Sequence, residues 1–118
     1  MTRRRIGLRR VYETPAADDG TRVLVDRLWP RGLSKDAAQI DVWPKDLTPS
    51  TELRRWFHGQ DGEFGEFRER YEAELAEDAA QAALDEVRAL AAKGRITLLT
   101  ASKDLEHSHA AVLAELLK

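Results

Sequence analysis

The chain contains no cysteine among its 118 residues, and this absence removes several kinds of chemistry at once. Disulfide bonds, zinc sites built from thiolates and cysteine nucleophiles are all excluded. A metal would have to be bound by carboxylates and by the three histidines, which lack the His-x-x-x-His spacing of a helical zinc site. The sequence therefore predicts no metal centre.

The signatures of common nucleotide-dependent enzymes and hydrolases are also missing. The chain has no Gly-rich phosphate loop, no Gly-x-Gly-x-x-Gly run and no nucleophile elbow. These absences argue against a P-loop NTPase, an ordinary dinucleotide-binding fold and an α/β-hydrolase, and we expect no cofactor. No apolar run approaches membrane-spanning length, so we expect a cytoplasmic protein without a membrane partner.

The length indicates one domain, residues 1–118, in which the basic residues 1–5 are expected to form a flexible N-terminus. The 19 basic and 21 acidic side chains give a net charge of -2, which argues against a general nucleic-acid coat protein. The charges are unevenly distributed, because residues 1–35 are mainly basic and residues 61–86 mainly acidic. We therefore predict a basic side and an acidic side.

The spacing of apolar residues predicts strands that alternate with helices. The predicted strands are 6–12, 22–26 and 96–100, and the predicted helices are a short one capped by Ser50, two longer ones at 61–76 and 78–93, and a last one that follows residues 101–104. A strand, crossover helices and a second strand imply a parallel pair. We expect an α/β fold, a small three-layer sandwich in which helices flank a short, mostly parallel sheet.

The loop after the second predicted strand has the chemistry of a ligand site. It carries Arg27, Trp29 and Arg31, and ligands of open α/β sheets bind beyond the carboxyl ends of the strands. Guanidinium forks recognise planar anions, and an indole offers a stacking face. We predict that these three residues bind a ligand, although anchoring of the loop is the favoured role for Trp29 itself.

The loop after the last predicted strand would reach the same edge of a parallel sheet. Lys103 is a candidate ligand for an anion, and Asp26, Asp104 and His107 are candidates for acid–base catalysis near the start of the last helix. A structural alternative remains open. In that alternative Asp26 pairs with Arg27 or a neighbouring helix, and Asp104 only caps the last helix.

The two C-terminal histidines differ in their expected surroundings. On a regular helix His109 falls within the apolar arc of Val112, Leu113 and Leu116, whereas His107 points almost oppositely. The two rings therefore cannot chelate one ion. We expect His109 to be a hydrogen-bonded core residue and His107 to be the better chemical candidate.

The chain resembles the YeaO-like family, a group of small, mostly bacterial proteins that form domain of unknown function 488. The resemblance extends over residues 6–116 and rests on Val-Asp-Arg-Leu-Trp-Pro-Arg-Gly at 25–32, Trp43 with Lys45, Pro49-Ser50, Leu53-Arg54 and Trp56-Phe57, then Phe67, Tyr71 and Leu75, and finally Thr97-Leu98-Leu99, Lys103-Asp104 and His107-Ser108-His109-Ala110. It implies a fold and a set of special positions, but no activity.

The chain departs from the family pattern at three positions. Relatives carry an aromatic residue where Thr100 stands, asparagine where Ser108 stands and tryptophan where Phe64 stands. Thr100 is expected to open space beside the ligand crevice at the carboxyl ends of the strands. This member of the family could therefore bind a different ligand, or none.

Two classes of function follow from these patterns. The favoured one is binding of a small anionic or phosphorylated ligand, such as a nucleotide, at the carboxyl edge of the sheet. The alternative is a non-catalytic module that binds nucleic acid or protein through its basic N-terminal side and Trp29. The sequence decides neither whether the ligand is transformed nor the oligomeric state.

Overall fold

The structure, a computed structural model, describes residues 6–59 and 62–117. Its elements are β1 (Ile6–Arg10), β2 (Thr21–Leu24), α1 (Lys35–Ala38), a 3-10 turn (Lys45–Leu47), α2 (Thr51–Phe57), α3 (Phe64–Leu75), α4 (Asp78–Lys93), β3 (Ile96–Thr100), a second 3-10 turn (Leu105–His107) and α5 (His109–Leu117). The flexible N-terminus expected at residues 1–5 lies outside the described residues.

The three strands form one parallel sheet in the order β1-β3-β2. The central strand is β3, and its residue Ile96 is in register with Ile6 on one side and Thr21 on the other. Every residue of β3 is buried, as its nearly continuous apolar sequence predicts. The expected α/β fold is confirmed.

Helices cover the two faces of the sheet unequally. On one face Val23, Val25, Ile96 and Leu98 pack into the main core together with apolar residues of α2–α5. The opposite face carries a smaller cluster around Val11, Leu24 and Leu99, closed by side chains of the segments at 29–33 and 40–43. The helical layer is therefore thick on one side, and loops with the single turn of α1 cover the other.

Serine side chains fix the starts of two helices. Ser50 accepts a hydrogen bond from the backbone N–H of Leu53 at 3.1 Å, as predicted, and Ser34 caps α1 through the N–H of Ala37. The last helix begins later than expected, because Asp104 caps the 3-10 turn and Ser108 in extended conformation separates that turn from α5. The prediction that Asp104 caps the last helix is therefore wrong.

A buried ion pair network holds the 11–20 connection against the loop-covered face. The Asp19 carboxylate accepts hydrogen bonds from Arg9 at 2.9 Å, from the N–H of Ala16 at 2.9 Å and from Arg22. Arg22 also donates to the carbonyl of Ala38 at 2.8 Å, so it ties α1 to the sheet. Burial raises the pKa of Asp19, but the hydrogen bonds from Ala16, Arg9 and Arg22 outweigh it and hold this pKa below its ordinary value.

We predict that Asp19→Asn lowers the free energy of unfolding by about 3–5 kcal/mol, because it leaves the buried Arg22 without a counter-charge. The contribution of the Asp19 carboxylate to the free energy of unfolding is fully present at neutral pH. It is lost below about pH 4, as the pH falls through the lowered pKa that Asp19 has in the folded state. Urea denaturation at several pH values measures both effects. The matched control is Asp18→Asn, since Asp18 is exposed; equal losses in the two variants would contradict the prediction.

Candidate functional site

A cavity of about 400 Å³ opens at the carboxyl edge of the sheet. The loop after β2 lines one part of it, the start of the loop after β3 and the first residue of α5 line another, and α2 closes a third. Its charged and titratable lining residues are Tyr12, Asp26, Arg27, Arg31, Arg54, His58 and His109. The site is therefore where the topology of a parallel sheet places it.

Four of the sequence-predicted site residues meet at this cavity, and three do not. Asp26, Arg27, Trp29 and Arg31 line it, whereas Lys103, Asp104 and His107 lie outside it. The 3-10 turn places the His107 ring beside the Asp104 carboxylate, at 2.8 Å, and edge-on to Phe64. The hydrogen bond from His107 holds the pKa of Asp104 below its ordinary value.

The Asp26 carboxylate is saturated with hydrogen bonds inside the fold. Oδ1 accepts from the Thr100 hydroxyl at 2.7 Å and lies 2.9 Å from His109 Nε2, and Oδ2 accepts from the N–H of Ala101 at 2.7 Å. Burial raises the pKa of Asp26. The bonds from His109, Ala101 and Thr100 lower it by a larger amount, so the pKa lies below its ordinary value. Within the described residues Asp26 makes no ion pair with Arg27, but it does pair with His109, the first residue of α5, so the structural alternative holds in the form of a contact with a neighbouring helix.

Thr100 has a different role from the expected one. Its side chain is fully buried and, besides donating to Asp26, accepts a hydrogen bond from the N–H of Ser102 at 3.2 Å. It therefore does not open space beside the cavity. Its hydroxyl makes a bond that fixes the Asp26 carboxylate.

His109 is hydrogen-bonded and mostly buried, as predicted, with 14% of its side chain exposed. Its Nε2 lies 2.9 Å from the carbonyl oxygen of Val25 as well as from Asp26. The sequence analysis missed that this residue also lines the cavity. No local signal in the sequence reveals this position, because the contacts of His109 with Val25 and Asp26 join residues more than 80 positions apart.

Arg54 and His58 are the other cavity residues that the sequence analysis missed. Arg54 lies in α2, and His58 is the residue that directly follows this helix. The two side chains are four residues apart, so they lie on the same side of the helix. This spacing of two basic side chains beside the apolar Leu53 and Phe57 was the available signal. It shows a polar stripe, but not which part of the sheet the stripe faces.

The cavity gathers arginines that have no internal partner. Within the described residues, the guanidinium groups of six arginines make ion pairs or hydrogen bonds, namely Arg9, Arg10, Arg22, Arg68, Arg70 and Arg88. No such bond is found in that part of the chain for Arg27, Arg31, Arg54, Arg55 or Arg95. Three of these five line the cavity, and Asp26 is the only carboxylate that the described residues contribute to its lining.

The tryptophans of the two loops anchor the backbone around the cavity. Trp29 donates from its indole N–H to the carbonyl of Leu33 at 2.6 Å and contacts Trp43 edge-on. Trp43 in turn donates to the carbonyl of Asp26 at 2.7 Å. The loop-anchoring interpretation of Trp29 is therefore correct, and the same ring also lines the cavity.

These features define an α/β protein with a cationic cavity at the carboxyl edge of its parallel sheet. The family model described as "Inactive DUF488-N3 subclade" matches residues 5–118. The chain belongs to this family, DUF488-N3i, in agreement with the resemblance to YeaO-like proteins.

Several curated relatives are similar over almost their whole length. The uncharacterised protein Rv3073c of Mycobacterium tuberculosis (strain H37Rv) is 49% identical over 96% of this chain and 93% of its own. The uncharacterised protein YeaO of Escherichia coli (strain K12) is 44% identical over 96% of both chains. No solved structure matches the chain significantly.

The described residues contain neither a cluster of metal ligands nor a helix suited to a membrane. Across residues 6–59 and 62–117, no three histidine or carboxylate side chains are grouped so that they could hold a metal ion. No helix in this part of the chain has both the length and the apolar composition to cross a membrane.

We predict that His109→Ala lowers the free energy of unfolding by about 1–3 kcal/mol, because it removes a hydrogen bond to a carboxylate in the fold. His107→Ala is the matched control, since 59% of its side chain is exposed, and it should leave the melting temperature nearly unchanged. Thermal and urea denaturation of both variants test this. Equal stability of the His109 variant and the wild type would show that the bond to Asp26 contributes nothing.

Proposed function

We propose that the protein binds a small phosphorylated organic anion in the cavity and does not transform it. The observation that carries the proposal is the group of three guanidiniums, Arg27, Arg31 and Arg54, that line one cavity without internal partners. Like charges around a concave surface repel one another, and a bound anion relieves this repulsion. Arginine forks are also well suited to phosphate oxygens.

The size of the cavity favours a small molecule over a polymer. A volume of about 400 Å³ lies within the range of ordinary ligand pockets. The arginines at positions 9, 10 and 22 of the basic N-terminal side already donate to internal acceptors. They offer correspondingly less charge to a nucleic acid, which disfavours the nucleic-acid-binding alternative.

The rim of the cavity favours a ligand with an apolar or planar part. Tyr12 is 44% exposed and Leu28 is 66% exposed, and both line the cavity. The Tyr12 hydroxyl donates to the carbonyl of Arg31 at 3.0 Å, which fixes the ring beside an arginine of the site. A nucleoside monophosphate combines a dianionic group with such a planar part.

Binding without turnover is favoured by two observations. The family is described as an inactive subclade. Both carboxylate oxygens of Asp26 are occupied within the fold, and the candidate acid–base residues Asp104 and His107 lie outside the cavity. We therefore assign Asp26, a candidate for acid–base catalysis in the sequence, the role of positioning the site. Arg27, Trp29 and Arg31 stay as proposed ligand contacts, and we add Arg54.

We predict that Arg54→Ala, Arg31→Ala and Arg27→Ala each weaken binding of nucleoside monophosphates by about tenfold to a hundredfold, the value of a charge-assisted hydrogen bond. The melting temperature without ligand should change little, because these guanidiniums have no internal partner. Calorimetric titration at two salt concentrations measures the affinity. Short single-stranded DNA and RNA serve as competing ligands.

The matched controls are Arg55→Ala, the unpaired neighbour of Arg54 that does not line the cavity, and Lys103→Ala. Both should retain wild-type affinity. The proposal fails if no phosphorylated compound binds, or if the Arg55 variant loses as much affinity as the Arg54 variant. Binding of oligonucleotides alone, with a steep salt dependence, would favour the nucleic-acid alternative.

We predict that Tyr12→Ala and Leu28→Ala reduce the preference for a nucleoside monophosphate over inorganic phosphate, because the rim contacts only the organic part. Affinity for inorganic phosphate should stay close to that of the wild type. Tyr12→Phe is the control that keeps the ring and removes the bond to Arg31. An unchanged preference in both alanine variants would remove the rim from the binding site.

A further inference from the structure

We propose that the anion is bound together with one proton, which His109 holds on Nδ1 as a fourth cationic contact of the cavity. This inference rests on the proposed function and adds to it the protonation state of the site.

The hydrogen bonds determine which ring nitrogen carries the fixed proton. Nε2 lies 2.9 Å from the Val25 carbonyl oxygen and 2.9 Å from an oxygen of Asp26. Both partners only accept hydrogen bonds at neutral pH, so Nε2 must be the donor. A second proton on the ring can therefore be carried only by Nδ1.

Nδ1 is available to a molecule in the cavity. It makes no hydrogen bond to any described residue, and the described residues contain no buried side-chain nitrogen or oxygen without a partner. Nδ1 is consequently accessible, and His109 is part of the cavity lining. When protonated, Nδ1 is a charged donor; when neutral, its lone pair faces an anion unfavourably.

The surrounding charges couple this proton to the ligand. Asp26 and Tyr71 contact the ring directly, and the other titratable and charged groups that line the same cavity are Tyr12, Arg27, Arg31, Arg54 and His58. Tyr71 stays neutral, because burial raises its pKa well above the ordinary value and its hydroxyl donates to Leu47. Asp26 favours the imidazolium, whereas the three guanidiniums oppose it in the empty cavity.

A bound dianion reverses the effect of the three guanidiniums on the imidazolium. It neutralises the guanidinium field and adds an attraction of its own, so protonation of Nδ1 becomes more favourable in the complex than in the free protein. By linkage, the affinity for the anion must then increase as the pH falls through the imidazole range. The Asp26 carboxylate keeps the ring oriented in both states.

The test uses sulfate, a dianion that does not itself titrate between pH 5 and 9. NMR titration of the imidazole signals of the full chain, with sodium sulfate or with sodium chloride at equal ionic strength, follows each histidine separately. We expect sulfate to raise the titration midpoint of the His109 ring by about one pH unit, which is a tenfold change in proton affinity. His107, which lies outside the cavity, should respond equally to both salts.

The affinity for sulfate measured by calorimetry should rise about tenfold from pH 8 to pH 5.5 in the wild type and lose this dependence in His109→Gln. If sulfate binds and Arg54→Ala weakens it, but the His109 midpoint does not move or only His58 responds, the inference is overturned and the proposed function stands. If neither sulfate nor any phosphorylated compound binds, both fail. The NMR measurement on the wild type remains decisive should the variant not fold.

Discussion

The geometry of the site depends on the three hydrogen bonds that the Asp26 carboxylate accepts. Asp26 follows β2, its partners Thr100 and Ala101 stand at the end of β3, and His109 is the first residue of α5. One side chain thus fixes the relative positions of three chain segments around the cavity. Both of its oxygens are occupied in this way, and within the described residues Asp26 makes no ion pair with the arginines of the same cavity.

The elements that could be predicted from the sequence have local causes. The apolar run of β3, the cap at Ser50 and the apolar stripe of α4 are each visible within a few residues. The start of α5 is different, since Asp104 and Ser108 are both acceptable caps. In the fold Asp104 caps the 3-10 turn and Ser108 accepts from the N–H of Ala111 in the first turn of α5, and His109 at that start contacts Asp26, a residue far away in the sequence.

The same division applies to the candidate site. The loop with Arg27 and Arg31 could be identified because its chemistry is concentrated in a few consecutive residues. Arg54 could not, because its role depends on how α2 is placed against the sheet edge. Lys103 was predicted from its position after β3, yet the chain turns away there into the 3-10 turn of residues 105–107.

The strand order also dictates the order in which the fold can form. β1 and β2 are not neighbours in the sheet: both pair with β3, and β2 makes one further parallel bridge, from Val23 to Val42. During synthesis the first two strands must therefore wait for their shared partner β3 until the intervening chain, including α2–α4, has been added. The helices can form early from local contacts, but the sheet closes last and over long sequence separations, which are the contacts that slow folding. A nascent chain that stops before Ile96 has no sheet at all.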